Sequence, residues 1–278
     1  MSSTSRWLAS SATRGLDVNK FSEKADLTGR TALVTGAAGH IGREICDTLA
    51  DLGATVAASD TLTQLDSSPR ITSANLSIPA DLSSTDEIHL LVDNVLAETG
   101  GIEIVVHSAA LVGTDQLDGW AVPFTEQSIE TWRLALEINL TSAFTLCQRA
   151  APALECSGKG SIIFISSIYG FLGQDPSLYE GTDMASPAAY FASKGGLEQL
   201  SRWLATTLAP HTRVNTICPG GIERGQPDSF RDRYMSKTPL GRLGQEDDLR
   251  GAVGFLASDL SSYVTGQQLI VDGGLSSR

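Results

Sequence analysis

TALVTGAAGHIGREI, Thr31–Ile45, opens as a β-branched run, turns through Gly36, Gly39 and Gly42, and enters a stretch where Ile41, Ile45, Leu49 and Leu52 recur at helical spacing. A strand that passes through a glycine-rich turn straight into a helix gathers backbone amides and the positive helix end at one point. Glycine is required because the turn needs unusual φ and close backbone approach, and the result is a cradle suited to a diphosphate.

Outward from this turn, short apolar runs alternate with longer amphipathic ones. The expected strands are 31–35, 54–59, 102–108, 161–167, 213–218 and 268–272, with a less regular one near 74–79. Continuous apolar strands are covered on both faces, and alternation with helices requires parallel crossovers of one hand. The expected fold is α/β, a doubly wound parallel sheet of about seven strands in one domain over 26–278, with ligands at the carboxyl ends of the strands. Residues 1–25 are Ser/Thr-rich, carry Arg6 and Arg14, and have no acid before Asp17. They are expected to be a flexible extension, a transit peptide being the other reading.

A chain of 278 residues with 41% hydrophobic content buries a sizeable core, and its net charge of −12 disfavours nucleic acid and anionic membrane surfaces as partners. No apolar run is long enough to span a membrane. Cys46, Cys147, Cys156 and Cys218 are widely spaced and form no metal-ligand pattern, so no metal is expected and the economical reading is a reducing, cytoplasmic setting.

Past the second strand, Asp60 is placed to accept both hydroxyls of a ribose and to repel a 2′-phosphate, which favours NAD over NADP. Asp81, after the third strand, has two readings of equal weight: acceptor for an adenine amino group, or turn cap.

AAYFASKGGLEQLSRWLATTL, residues 188–208, sets Tyr190 and Lys194 one helical turn apart on one face. A nearby ammonium stabilises a phenolate, which makes Tyr190 a usable acid or base. SIIFISSIYG ends a strand with Ser166 and Ser167, and a hydroxyl there can hold a substrate oxygen beside the tyrosine. Asn139, in the helical stretch EINLTSAF, needs a reason to be there; anchoring a water that links Lys194 to solvent is one, and a local backbone contact is another.

TGAAGHIG, Asn139, SSIYG, Tyr190 with Lys194, CPGGI and YVTGQQLIVDGG follow one another in the order that resembles the short-chain dehydrogenases/reductases, from about Leu27 to Gly274. The resemblance implies a Rossmann-type fold, a homotetramer or homodimer, a small-molecule substrate, and a catalytic set of Asn139, Ser167, Tyr190 and Lys194, with Ser166 as second choice to Ser167. It implies a cofactor lying against Gly36, Gly39, His40, Ile41 and Gly42, then Asp60, Asp81, Leu82, Ser108 and Ala109. Tyr190, Lys194, Pro219, Gly220 and Ile222 complete that contact.

Four departures stand out. HSAA, residues 107–110, replaces the usual NNAG and resembles the version in nucleotide-sugar-modifying relatives. His40 occupies a position that is commonly Gly, and Arg224 one that is commonly a nicotinamide-contacting Thr. The gap from Ser167 to Tyr190 is wider than usual, and Tyr179 falls at the usual spacing; Asp183, four residues on, argues against Tyr179 as catalyst. The extra segment GQDPSLYEGTDMASP, 173–187, resembles an insertion in oxidoreductases of bacterial surface-sugar pathways of the legionaminic acid type. It is expected to wall the substrate pocket. Residues 222–240 take the place of a substrate lid, and one of Arg224, Arg231, Arg233 and Lys237 is expected either to meet a substrate anion or to face solvent with acidic partners. The expected activity is hydride transfer between NAD and a polar or sugar-like secondary alcohol or ketone. A 3-ketoacyl-type reductase and a non-catalytic nucleotide-binding protein are the alternatives.

Overall fold

The structure, a computed structural model, describes residues 18–112, 117–182 and 184–277. Seven strands form one parallel sheet: β1 Thr31–Thr35, β2 Thr55–Asp60, β3 Leu76–Pro79, β4 Ile104–His107, β5 Gly160–Ile165, β6 Thr212–Pro219 and β7 Gln268–Val271. Their spatial order is β3-β2-β1-β4-β5-β6-β7. The chain winds outward from β1 through β2 to β3, then returns to lay β4 against the other side of β1, with Thr35 beside His107. That reversal opens a crevice at the carboxyl ends of β1 and β4, where ligands of such sheets bind.

The helices are α1 Val18–Ala25, α2 His40–Asp51, α3 Leu62–Ser67, α4 Thr85–Thr99, α5 Ile129–Leu136, α6 Ser142–Ser157, α7 Ala188–Thr207, α8 Asp228–Lys237 and α9 Arg250–Ala257. Alternate residues of each strand face opposite sides, so the sheet feeds two cores. On one side Ala32, Val34, Val56 and Ile163 pack with Ile45 and Leu49 of α2 and Val253 and Leu256 of α9. On the other, Leu33, Val105, Ile162 and Phe164 pack with Val92 and Val95 of α4, Leu146 of α6 and Leu197 of α7.

Several expected strand boundaries shift by one or two residues. The fourth strand begins at Ile104 rather than residue 102, and β5 ends at Ile165, leaving Ser166 and Ser167 just beyond it. Ser167 is extended and its Oγ accepts the Tyr169 amide, turning the chain into a short 3-10 segment, Ile168–Gly170. Of the stretch expected to be an extension, Val18–Ala25 is a helix; residues 1–17 and Asp183 lie outside the described residues. Among the described residues no helix is long and apolar enough to cross a membrane, and no His, Cys, Asp and Glu gather as a metal site.

Candidate active site

The crevice is a cleft of 710 Å³ that runs from the Gly36–Gly42 turn, past β4 and β5, to the loop after β6. Gly36 adopts φ +66°, and a Cβ on Gly42 would lie 2.0 Å from the Gly36 carbonyl, so both glycines are dictated by the packing of turn on helix. Gly39 precedes α2 and offers no side-chain cap, and the first turn of the helix carries no acid. Its leading amides are thereby left to an outside anion, which fits a dinucleotide diphosphate. Gly39, His40 and Ile41 line the cleft with Gly36 and Gly42.

Asp60 closes the far wall at the end of β2. Its Oδ2 accepts the Ala38 amide at 3.0 Å and its Oδ1 the Thr61 amide at 2.8 Å. The carboxylate therefore braces the glycine turn, and Asp60 lines the cleft. Asp81 caps its turn, its Oδ1 accepting the Ser83 amide and hydroxyl, and the residue borders the cleft beside Leu82. Ser108, Ala109, Pro219, Gly220 and Ile222 also line it.

Tyr190, Lys194 and Ser167 meet at the middle of the cleft. Pro187 leads into α7, which presents Tyr190 and Lys194 one turn apart with the ammonium 5.5 Å from the phenol ring centre. Lys194 is 2% exposed and donates from Nζ to the Ile165 carbonyl at 2.7 Å. Burial lowers its pKa to about 8. Desolvation raises the Tyr190 phenol above its ordinary value, while the Ser167 hydroxyl and the charge of Arg224 pull it back down. In this arrangement the lysine's closest partner is a backbone carbonyl rather than the phenol oxygen expected from spacing alone.

Asn139 belongs to a π-helical turn, Glu137–Thr141, inserted between α5 and α6. Such a turn rotates one residue out of the helical register, which accounts for an asparagine in an otherwise apolar pattern. The side chain is fully buried: Oδ1 accepts the Leu111 amide at 2.7 Å, and Nδ2 donates to the Leu111 carbonyl and to Ser193 Oγ, each at 3.1 Å. These contacts reach the loop after β4 and α7, both distant in sequence. Ser193 donates to the Tyr190 carbonyl, so the clamp ties the loop after β4 to the tyrosine's own helix.

Ser166 is turned away from the cleft centre, with its hydroxyl among the Lys194 carbonyl and the buried Glu198 carboxylate. Tyr179 has its hydroxyl engaged by Tyr169 at 2.6 Å and Ser186 at 2.7 Å. Within HSAA, His107 is fully buried, 2.8 Å from Ser142 Oγ, and its pKa is pushed down to about 3 by burial and by the charge of Lys194. It is a neutral packing group behind the cleft.

Residues 173–182 and 184–187, with α8, form one wall. Leu178, Phe230, Tyr234 and Leu243 share an apolar cluster with Tyr179 and Met184 packed on it. Polar ties reinforce it: Lys237 pairs with Asp175, and Arg233 donates to the Leu178 and Glu180 carbonyls. Arg231 pairs with Glu223 and Asp228. Three of the four basic residues considered for a substrate anion are thus spent on internal partners, and Arg224 alone of the four lines the cleft. Met184 and Ser186 fall in the segment expected to wall the pocket, whereas Tyr169, Phe230 and Tyr234, which also line the cleft, were not singled out from the sequence. The aromatic spacing in FRDRY was the available signal for the last two.

Comparison with known proteins agrees with this geometry. A family profile described as Enoyl-(Acyl carrier protein) reductase matches residues 36–276. Cis-4-hydroxycyclohexanecarboxylate dehydrogenase of Sinomonas cyclohexanicum is 32% identical over 88% of this chain and 96% of its own. A 3-oxoacyl-[acyl-carrier-protein] reductase of Thermotoga maritima is also 32% identical, over 90% of this chain and 98% of its own. A crystal structure of a short-chain type dehydrogenase/reductase from Mycobacterium marinum superposes with TM-score 0.77 at 29% identity, covering 92% of this chain and 98% of that one. With a seven-stranded parallel sheet, a glycine cradle and a Tyr/Lys pair in one cleft, this chain belongs to the short-chain dehydrogenase/reductase family, enzymes that act on CH–OH groups with a nicotinamide cofactor.

Proposed function

We propose that this enzyme transfers a hydride between NAD, in preference to NADP, and a polar, sugar-like secondary alcohol or ketone. The observation that carries the reading is the convergence of Tyr190, Lys194 and Ser167 on the same cleft that begins at the glycine turn and Asp60. Bound NAD supplies the hydride acceptor, and this chain's residues handle the proton and the grip. Ser167 holds the substrate oxygen, Tyr190 exchanges the hydroxyl proton, and Lys194 sets the charge beside the phenol. Asn139 holds the loop after β4 in place behind them.

Support for NAD comes from Asp60, whose carboxylate at the end of β2 would face a 2′-phosphate. Support for a polar substrate comes from the wall built by 173–187, where Tyr169, Tyr179 and Ser186 form a chain of hydroxyls in the cleft lining. The Sinomonas relative is named for cis-4-hydroxycyclohexanecarboxylate, a ring alcohol that also carries a carboxylate. The 3-ketoacyl reading rests on the Thermotoga relative and calls for an extended thioester substrate. Exposed Phe144 on α6 and Trp203 on α7 are consistent with assembly as a homo-oligomer.

NADH formation, measured with cyclic polyols and hydroxycycloalkane carboxylates and compared with NADPH-linked reduction of an acetoacetyl thioester, tests the assignment. Turnover of the cyclic alcohols with NAD is the expected result. Efficient turnover of the thioester alone would replace it with the ketoacyl reading.

A further inference from the structure

Arg224 differs from every other basic side chain on the loop and helix after β6. Arg231, Arg233 and Lys237 each donate hydrogen bonds to acids or carbonyls, whereas no side-chain hydrogen bond of Arg224 is found among the described residues. Its nearest charge is Glu246 Oε1, 3.7 Å from Nε, beyond hydrogen-bond range. The same oxygen lies 3.8 Å from Nδ1 of His40. One carboxylate oxygen thus stands between a guanidinium from the β6 side of the cleft and an imidazole from the mouth of α2.

The backbone makes this placement rigid. Ile222 bridges to Gly244, the Glu223 amide donates to the Gly244 carbonyl, and the loop is thereby zipped to the segment that carries Glu246. The Gln226 side chain accepts the Arg224 amide and donates to the Ile222 carbonyl, pinning the two ends of the turn. Arg224 therefore projects from a fixed base with its donors unspent. Arg224 and His40 both line the cleft, and His40 is the first residue of α2.

We propose that Arg224 is a cofactor-binding residue that reaches the dinucleotide diphosphate from the β6 side, with Glu246 as its competing partner. The inference rests on the reading that a dinucleotide fills this cleft. A guanidinium offers two parallel donors to phosphate oxygens, a geometry the loose single approach to Glu246 does not use. In a protein of net charge −12, a local cation is also what offsets the repulsion of an incoming dianion.

Binding is measured on the full-length protein by NADH fluorescence, and ADP and adenosine are then read by displacement of NADH. Arg224→Met is expected to weaken NADH and ADP by about tenfold or more, with adenosine unchanged and a flatter dependence of affinity on salt. Arg224→Lys should recover part of the loss, because it restores charge without the fork. Glu246→Gln should tighten NADH and ADP by about twofold or more, since a competing carboxylate is removed. NADH and ADP affinities within twofold of wild type in Arg224→Met would overturn the proposal and leave Arg224 to the substrate. If Arg224→Met fails to fold, unchanged affinity in both Arg224→Lys and Glu246→Gln overturns it equally. Wild-type protein that binds neither NADH nor ADP would defeat the cofactor reading itself.

Discussion

Lys194 donates its ammonium to the Ile165 carbonyl across 2.7 Å, inside the protein and one helical turn from Tyr190. The bond fixes the lysine against the end of β5, the strand that also leads to Ser167, so three site residues share one rigid frame. It also holds a cation where water is scarce, and burial lowers the lysine pKa to about 8 from an ordinary 10.5.

That depression carries a stability cost with a defined sign. Below pH 8 the lysine is charged in both folded and unfolded states, and folding bears the full penalty, on the order of 3 kcal/mol. Between 8 and 10.5 the unfolded chain keeps a proton the fold has released, so this contribution to stability improves as pH rises. Lys194→Met removes the penalty and sacrifices one hydrogen bond worth about 1–2 kcal/mol. The variant should be inactive yet melt roughly 2–6 °C higher than wild type at pH 7. Calorimetry across pH 7 to 10 checks it: the gain should shrink toward the alkaline end, and a variant that melts lower at pH 7 would refute the cost.

The Asp60 carboxylate accepts the Ala38 amide, so the residue proposed to select NAD also braces the glycine turn. Asp60→Asn should lower kcat/KM with NAD by about tenfold, because charge and one strong acceptor are lost, and should lower it much less with NADP. Steady-state kinetics with both cofactors measure this, and a wild-type enzyme that prefers NADP would contradict it.

The Asn139 clamp predicts a structural and a kinetic defect together. Asn139→Ala leaves the Leu111 amide without its buried acceptor and frees the loop beside the cleft. A loss of about 2–3 kcal/mol in urea unfolding is expected, with a fall in kcat exceeding any rise in KM. Wild-type stability in this variant would mean the amide finds another acceptor.

The sheet was legible because each strand is an apolar run bounded by turn residues, and its winding follows from the alternation with helices. The glycine turn was legible for a steric reason, now seen in the Gly42 contact with the Gly36 carbonyl. What spacing alone did not show depends on pairs distant in sequence. The partner of Lys194 comes from β5, that of Asn139 from the loop after β4, and the partners of Arg233 and Lys237 from the segment 173–187. Periodicity reports which face a residue occupies and carries no information about which backbone carbonyl the fold brings opposite it. The π turn at Glu137–Thr141 showed in the sequence only as one out-of-place asparagine, because its register shift is confined to a single turn between two helices.

The central claim, that Tyr190 and Lys194 act as one proton-exchanging unit, is tested most directly by the pH dependence of NADH formation from a secondary alcohol the enzyme turns over. Wild type is compared with Tyr190→Phe and Tyr179→Phe. Burial holds the phenol up and the lysine down, so the profile is read as that of the pair and not of one residue. Wild type should show a rate that rises with pH through one apparent pKa below that of free tyrosine. Tyr190→Phe should lose about 10²-fold or more in rate and keep its NAD affinity, while Tyr179→Phe retains the wild-type profile. A Tyr190→Phe enzyme that keeps the wild-type rate and pH profile would contradict the account.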